Sequence, residues 1–169
     1  MNKETFAKLV IDSTDSLYRV SKSILRNDSD CEDAVSEAIT IAFQKLDSLK
    51  QDEYAKTWLT RILINECFHI RKQQNRITLV SDDSESILNN EKYSENKCYT
   101  ASDNYLDLYQ AMQQLTEDRR LAITLYYYEG YSVKEIAQIT GVTQGTVKSR
   151  LGRARNQLKQ FLKEEEYYA

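Results

Sequence analysis

The chain has 169 residues, with 23 lysines and arginines set against 26 aspartates and glutamates, a formal net charge of -3. That length suits two small domains better than a large enzyme scaffold, and the charge excludes a uniformly basic nucleic-acid binder, so only local charge can point to a polyanionic partner. His69 is the only histidine, Cys31, Cys67 and Cys98 are widely spaced, and no H-E-x-x-H, G-x-S-x-G or phosphate-loop pattern occurs. The common catalytic sets, a zinc ribbon and a disulfide framework are therefore not expected; no metal or cofactor is implied, and the thiols read as buried or idle.

No apolar run approaches the roughly 20 residues that cross a bilayer, and the start MNKETFAKLV lacks the apolar core of a secretory signal, so a soluble, cytoplasmic protein is expected. Proline is absent and the 4 glycines, Gly130, Gly141, Gly145 and Gly152, all fall in the last quarter. Without helix breakers before that point, and with apolar residues recurring every three or four positions, the fold class is all-α.

The first predicted helix carries Phe6, Leu9, Val10, Leu17, Val20, Ile24 and Leu25 and breaks at RNDSD, where Asn and Asp compete for the backbone. Ser29 and Glu32 then form a candidate capping box for a second helix that turns Ala34, Val35, Ala38, Ile41 and Ala42 inward. A third helix is predicted from about Thr57 to Gln73. Its wheel places Leu59, Ile62, Leu63 and Ile70 on one side and Trp58, Arg61, Asn65, Phe68 and Lys72 on the other, an arc mixing cations, an amide and aromatics.

From residue 77 to 102 periodicity stops, and the polar, acidic SDDSESILNNEKYSENKCYTASD reads as a flexible linker between two small helical domains, 1–76 and 103–169. Helical order resumes with Leu106, Leu108, Tyr109, Met112 and Leu115. Thr116 is a candidate N-cap for a helix that ends at Gly130.

The segment YSVKEIAQITGVTQGTVKSRLGRAR follows helix-turn-helix grammar: Ser132 and Glu135 fit a capping box, Gly141 allows a tight turn, and Thr143 caps the following helix. That last helix turns Val147, Leu151, Ala154, Leu158, Phe161 and Leu162 inward. Its far face holds Lys148, Ser149, Gly152, Arg153, Asn156 and Lys159, side chains suited to base edges and phosphates, with a glycine that permits close approach. From Gly141 to Lys163 no acidic residue interrupts the basic ones, which sets this helix apart from a merely solvated charged face.

Together, DCEDAVSEAITIAFQKL with KTWLTRILINECFHIRKQ, and LTEDRRLAITLYYYEGYSVKEIAQITGVTQGTVKSRLGRARNQLKQFL, resemble the extracytoplasmic-function group of bacterial sigma-70-type RNA polymerase sigma factors. The resemblance covers nearly the whole chain apart from the linker. It implies an alternative sigma factor that is not an enzyme, binds core RNA polymerase and directs promoter recognition, in a stress or envelope response. The N-terminal domain would dock on the clamp helices of β′ and capture the melted minus-10 strand; the C-terminal domain would bind the β flap and read the minus-35 duplex.

Matched position by position, Lys148, Ser149, Gly152 and Arg153 would face minus-35 bases, with Thr143, Gln144, Thr146 and Arg150 close to phosphates. Asn65 would lie near the minus-10 strand, with Lys56, Trp58, Arg61 and Lys72 around it; unpaired bases are held by aromatic stacking and by cations tracking the backbone. For Trp58, core packing is the competing reading. Asp30, Asp33, Ser36 and Glu37 fall on the polymerase-docking helix. Ser36 stands where the family commonly has Gln, and a solvated acidic helix start is the competing reading for its neighbours. The resemblance further implies an anti-sigma partner, often membrane-anchored, and promoter DNA, with no small-molecule substrate.

Two other classes fit parts of the sequence. A stand-alone helix-turn-helix regulator with an N-terminal sensing domain would share the C-terminal grammar but leave the arc around Asn65 without a job. A protein-binding decoy would not need Lys148 and Arg153 on an open face.

Overall fold

The structure, a computed structural model, describes residues 1–80 and 103–168. Among the described residues there are seven α-helices and no strand: α1 Lys3–Ile24, α2 Asp28–Gln44, α3 Ala55–Val80, α4 Asp103–Gln113, α5 Glu117–Ile123, α6 Val133–Thr140 and α7 Gln144–Tyr168. Most of the stretch expected to be the linker, and Cys98 with it, lies outside them.

The starts of α1, α2, α6 and α7 fall where a short polar side chain serves an unpaired backbone N–H. Asn2 Oδ1 accepts from Thr5 N at 2.7 Å and opens α1. The expected box of Ser29 and Glu32 does not form. Asn27 takes the cap instead, its Oδ1 accepting from Ser29 N at 2.8 Å and Asp30 N at 3.3 Å. Starting earlier also places Asp28 and Asp30 in the first turn, where the helix dipole favours carboxylates. At α5, Thr116 has the extended backbone of a cap but makes no side-chain cap bond.

The third helix is longer than its apolar period indicates, running from Ala55 to Val80 and so past the expected linker start at 77. Nothing in NRITLV can stop it, since neither proline nor glycine occurs there. Two short 3-10 turns, Leu46–Ser48 and Asp52–Tyr54, feed the chain from α2 into its start.

The helices α1, α2 and α3 pack around Phe6, Leu17, Val20, Ala38, Leu59 and Leu63, all buried. Ala34, Ala38 and Ala42 recur on one face of α2, and their small side chains let α3 approach closely. The second group, α4 to α7, closes over Leu115, Leu121, Leu125, Ile136, Val147 and Leu151. Cys31 and Cys67 are both buried, and burial pushes the Cys67 thiol up to about 12.

The two groups lie against each other, α1 along α5 and α3 along α6. Polar contacts stitch this seam. Arg120, only 5% exposed, donates Nε to the Ser23 carbonyl at 2.8 Å and Nη1 to the Leu115 carbonyl at 3.4 Å, at the C-terminal ends of α1 and α4. A π turn over Thr124–Tyr128 widens the end of α5 and carries Glu129 to α1, where Ser16 and Arg19 donate to it. Tyr131 Oη meets Thr60 Oγ1 at 2.9 Å, Lys56 lies over the Tyr131 ring, and Arg71 pairs with Glu117.

Candidate functional site

The C-terminal site grows out of the turn between α6 and α7. Ser132 Oγ accepts from Glu135 N while Glu135 Oε2 accepts from Ser132 N at 2.8 Å, so the expected capping box is present. Those donated hydrogen bonds hold the Glu135 carboxyl below its ordinary value. Gly141 ends α6 at φ 71°, a left-handed conformation that a Cβ disfavours, and Thr143 Oγ1 then accepts from Thr146 N at 3.2 Å to start α7.

Val147, Leu151 and Ala154 anchor α7 inside, and the opposite face lies open: Gln144, Lys148, Ser149, Arg153, Asn156 and Lys159 are all exposed. Gly152 sits among them, and a Cβ there would meet nothing within 4 Å, so packing within the chain does not require the glycine. Thr143 is exposed and Thr146 half-buried beside it. Arg150 differs from the rest, because it is held at 3.0 Å by Asp118 of α5. One cation expected near phosphates thus also fastens α7 to α5.

On the N-terminal side, α3 divides its circumference among three neighbours. One face, Leu59, Leu63 and Cys67, enters the core, with Lys56 and Thr60 turned to the seam. A second, with Arg61, Asn65, Phe68, Lys72 and Arg76, is exposed and carries no acid. Trp58 is half-buried at the edge of this face, its ring edge-on to Phe6 at 6.1 Å, so core packing accounts for much of it. Lys56 is exposed but its ammonium lies 5.5 Å from the Tyr131 ring centroid.

The third face borders a groove of about 550 Å³ between α2 and α3. Asp30, Asp33, Ser36 and Glu37, the four residues expected to dock polymerase, all line its α2 wall. Sequence reasoning missed the facing wall, Glu66, His69, Ile70 and Gln73 of α3. Their spacing along one helix was the available clue. Gln74 Nε2 reaches across to Asp30 Oδ2 at 2.7 Å. Among the described residues no group of three or more His, Cys, Asp or Glu side chains is arranged to hold a metal ion, and no helix is long and apolar enough to cross a membrane.

An all-helical chain with an open basic helix after a tight turn, a second acid-free basic helix face and an acidic groove beside that face defines a class: a helix-turn-helix DNA-binding protein. Comparison with known proteins gives the family. The Sigma-70 region 2 family matches residues 9–77 and the Sigma-70 region 4 family residues 105–158. The chain is 35% identical over 134 residues to the ECF RNA polymerase sigma-E factor of Escherichia coli K12, covering 75% of this chain and 70% of that one. It is 28% identical over 152 residues to the RNA polymerase sigma factor SigV of Bacillus subtilis, covering 90% and 87%. The sigma factor RpoE of Bartonella quintana, solved with the anti-sigma factor NepR, superimposes with a TM-score of 0.81 at 29% identity over 95% of this chain and 98% of that one. The protein belongs to the extracytoplasmic-function group of sigma-70-type RNA polymerase sigma factors. The region 2 match gives the N-terminal half to this family rather than to a ligand-sensing domain.

Proposed function

We propose that this protein is an alternative sigma factor that joins core RNA polymerase in the cytoplasm, directs it to a specific set of promoters and performs no chemistry of its own. The open face of α7 reads the minus-35 duplex, with Lys148, Ser149, Gly152 and Arg153 toward bases and Thr143, Gln144, Thr146 and Arg150 toward phosphates. The outer face of α3, with Arg61, Asn65 and Lys72 beside Lys56 and Trp58, takes the melted minus-10 strand. The groove walled by Asp30, Asp33, Ser36 and Glu37 docks the clamp helices of β′, and the C-terminal domain meets the β flap. An anti-sigma protein holds the factor until a signal arrives, as the complex of the Bartonella relative suggests.

One observation carries this reading: a single helix, α3, presents an acid-free basic face and, about a third of a turn away, one wall of an acidic groove, so nucleic acid and a protein partner can be engaged at once on separate faces. The test is co-elution of the purified chain with bacterial core RNA polymerase. The intact protein is expected to bind and Asp33→Arg to lose binding. Failure of the intact protein to bind would end the reading.

A further inference from the structure

The two aromatic side chains on the outer part of α3 are not equivalent. Trp58 is tied inward: its ring meets Phe6 edge-on, Phe6 is fully buried, and Phe6 in turn packs edge-on to Phe43 at 5.0 Å. Trp58 is half-buried and counts among the residues packed on the core cluster, so turning its ring outward onto a base would cost that packing. Phe68 is 38% exposed and belongs neither to the core cluster nor to the half-buried residues packed on it.

An exposed phenylalanine alone is ordinary. What distinguishes Phe68 is its neighbourhood on the helix. Asn65 precedes it by one turn, Lys72 follows by one turn, and Arg61 and Arg76 extend the same exposed face at either end. Arg61 and Lys72 lie about 16 Å apart along the axis, with the Phe68 ring between them. A strand whose phosphates follow those cations brings its bases over the ring. In duplex DNA each base face is already covered by its neighbours, and prising a step apart costs stacking energy, so an exposed ring stacks most readily on an unpaired base.

We infer that Phe68, rather than Trp58, is the residue of α3 that stacks on an unpaired base of the melted strand, with Asn65 and Lys72 holding the adjoining base edge and backbone. This rests on the reading of the outer face of α3 as the minus-10 surface. It makes the ring a positioning element that favours opened over closed DNA, because stacking needs an accessible base face, and it does so whatever the base, since every base has one.

The test uses holoenzyme assembled from the full chain and core RNA polymerase. The probe is DNA with a central unpaired bubble, selected from a randomised library by that holoenzyme and carrying 2-aminopurine at single unpaired positions. Wild-type holoenzyme is expected to quench 2-aminopurine at one position. Phe68→Ala should abolish that quenching and weaken bubble binding about 5- to 100-fold, the range seen for loss of one base–aromatic stack. The slope of affinity against salt should stay as in the wild type, since no phosphate contact is removed. Phe68→Tyr should restore both signals and Phe68→Leu should not. Arg61→Ala should instead lower the salt slope by about one unit's worth of phosphate contact.

Unchanged quenching in Phe68→Ala, or full rescue by Phe68→Leu, overturns the inference. If Arg61→Ala still weakens the bubble complex in that case, the minus-10 reading of the face stands without the stack; if neither variant matters while holoenzyme forms, both fall. Equal thermal melting of the variants excludes a folding defect as the cause of any loss.

Discussion

Arg19 of α1 and Glu129, at the end of the π turn, meet at 2.8 Å with unequal exposure: the carboxylate side chain is 2% exposed and the guanidinium side chain 50%. The acid is therefore committed to the seam, with Ser16 as its second donor, while the base still touches water. Removing the base strands a buried charge, whereas removing the acid leaves an arginine that solvent can take up. Arg19→Ala should cost about 1–2 kcal/mol after allowance for the exposed partner, and Glu129→Gln less, because its amide can still bond Ser16. Urea denaturation of the two variants checks the order.

A second seam contact can be given a direction. Thr60 Oγ1 already donates its one hydrogen to the Lys56 carbonyl at 2.9 Å, so Tyr131 Oη must donate to Thr60 at 2.9 Å. Tyr131→Phe should lose about 1 kcal/mol without leaving Thr60 unsatisfied. Thr60→Val should cost more, because it strands the buried Tyr131 hydroxyl, and adding Tyr131→Phe to it should recover part of that loss, as measured in a denaturation cycle.

The cations of α7 should separate into two behaviours. Arg153 is exposed, and Arg153→Ala should leave stability within about 0.5 kcal/mol while costing about 1–3 kcal/mol at the promoter, with relaxed selection at one base position if it reads a base. Arg150 is bound to Asp118, and Arg150→Ala should lower stability slightly and weaken all sequences alike. A randomised minus-35 library, with a thermal melt of each variant, distinguishes them.

The capping box of α6 predicts a pH dependence. The folded carboxyl of Glu135 titrates below its ordinary value of 4.5, because Ser132 donates to the ionised form. The contribution to stability is therefore complete above that value and fades as the pH falls through it toward the folded value. Glu135→Gln should remove this part of the acid dependence, visible as a smaller difference between melts at neutral and acid pH.

How much of this is legible in the chain depends on whether the cause is local. The turn at Gly141, the caps at Ser132 and Thr143, and the inward stripe of Val147, Leu151 and Ala154 can be read directly, since residues a few positions apart determine them. Asn27 in place of Ser29 shows the limit of this, because several adjacent polar residues compete for one cap and geometry chooses. The seam is illegible for another reason: Ser16, Thr60 and Arg120 find their partners far along the sequence, and their types carry no period. The α3 wall of the groove lies between these cases, since its spacing is visible but its facing partner on α2 is not.

The continuity of α3 from Ala55 to Val80 has one more consequence. An unbroken helix that serves three neighbours at once behaves as a shaft, and its rotational phase becomes as important as the identity of any side chain on it. Inserting one residue after Asn65 would turn everything downstream by about 100°. Phe68 and Lys72 would swing off the open face, and the groove wall would lose its alignment with α2. An insertion within the stretch between Arg61 and Gln73 should therefore do more harm than any single substitution there, because it misplaces both faces at once.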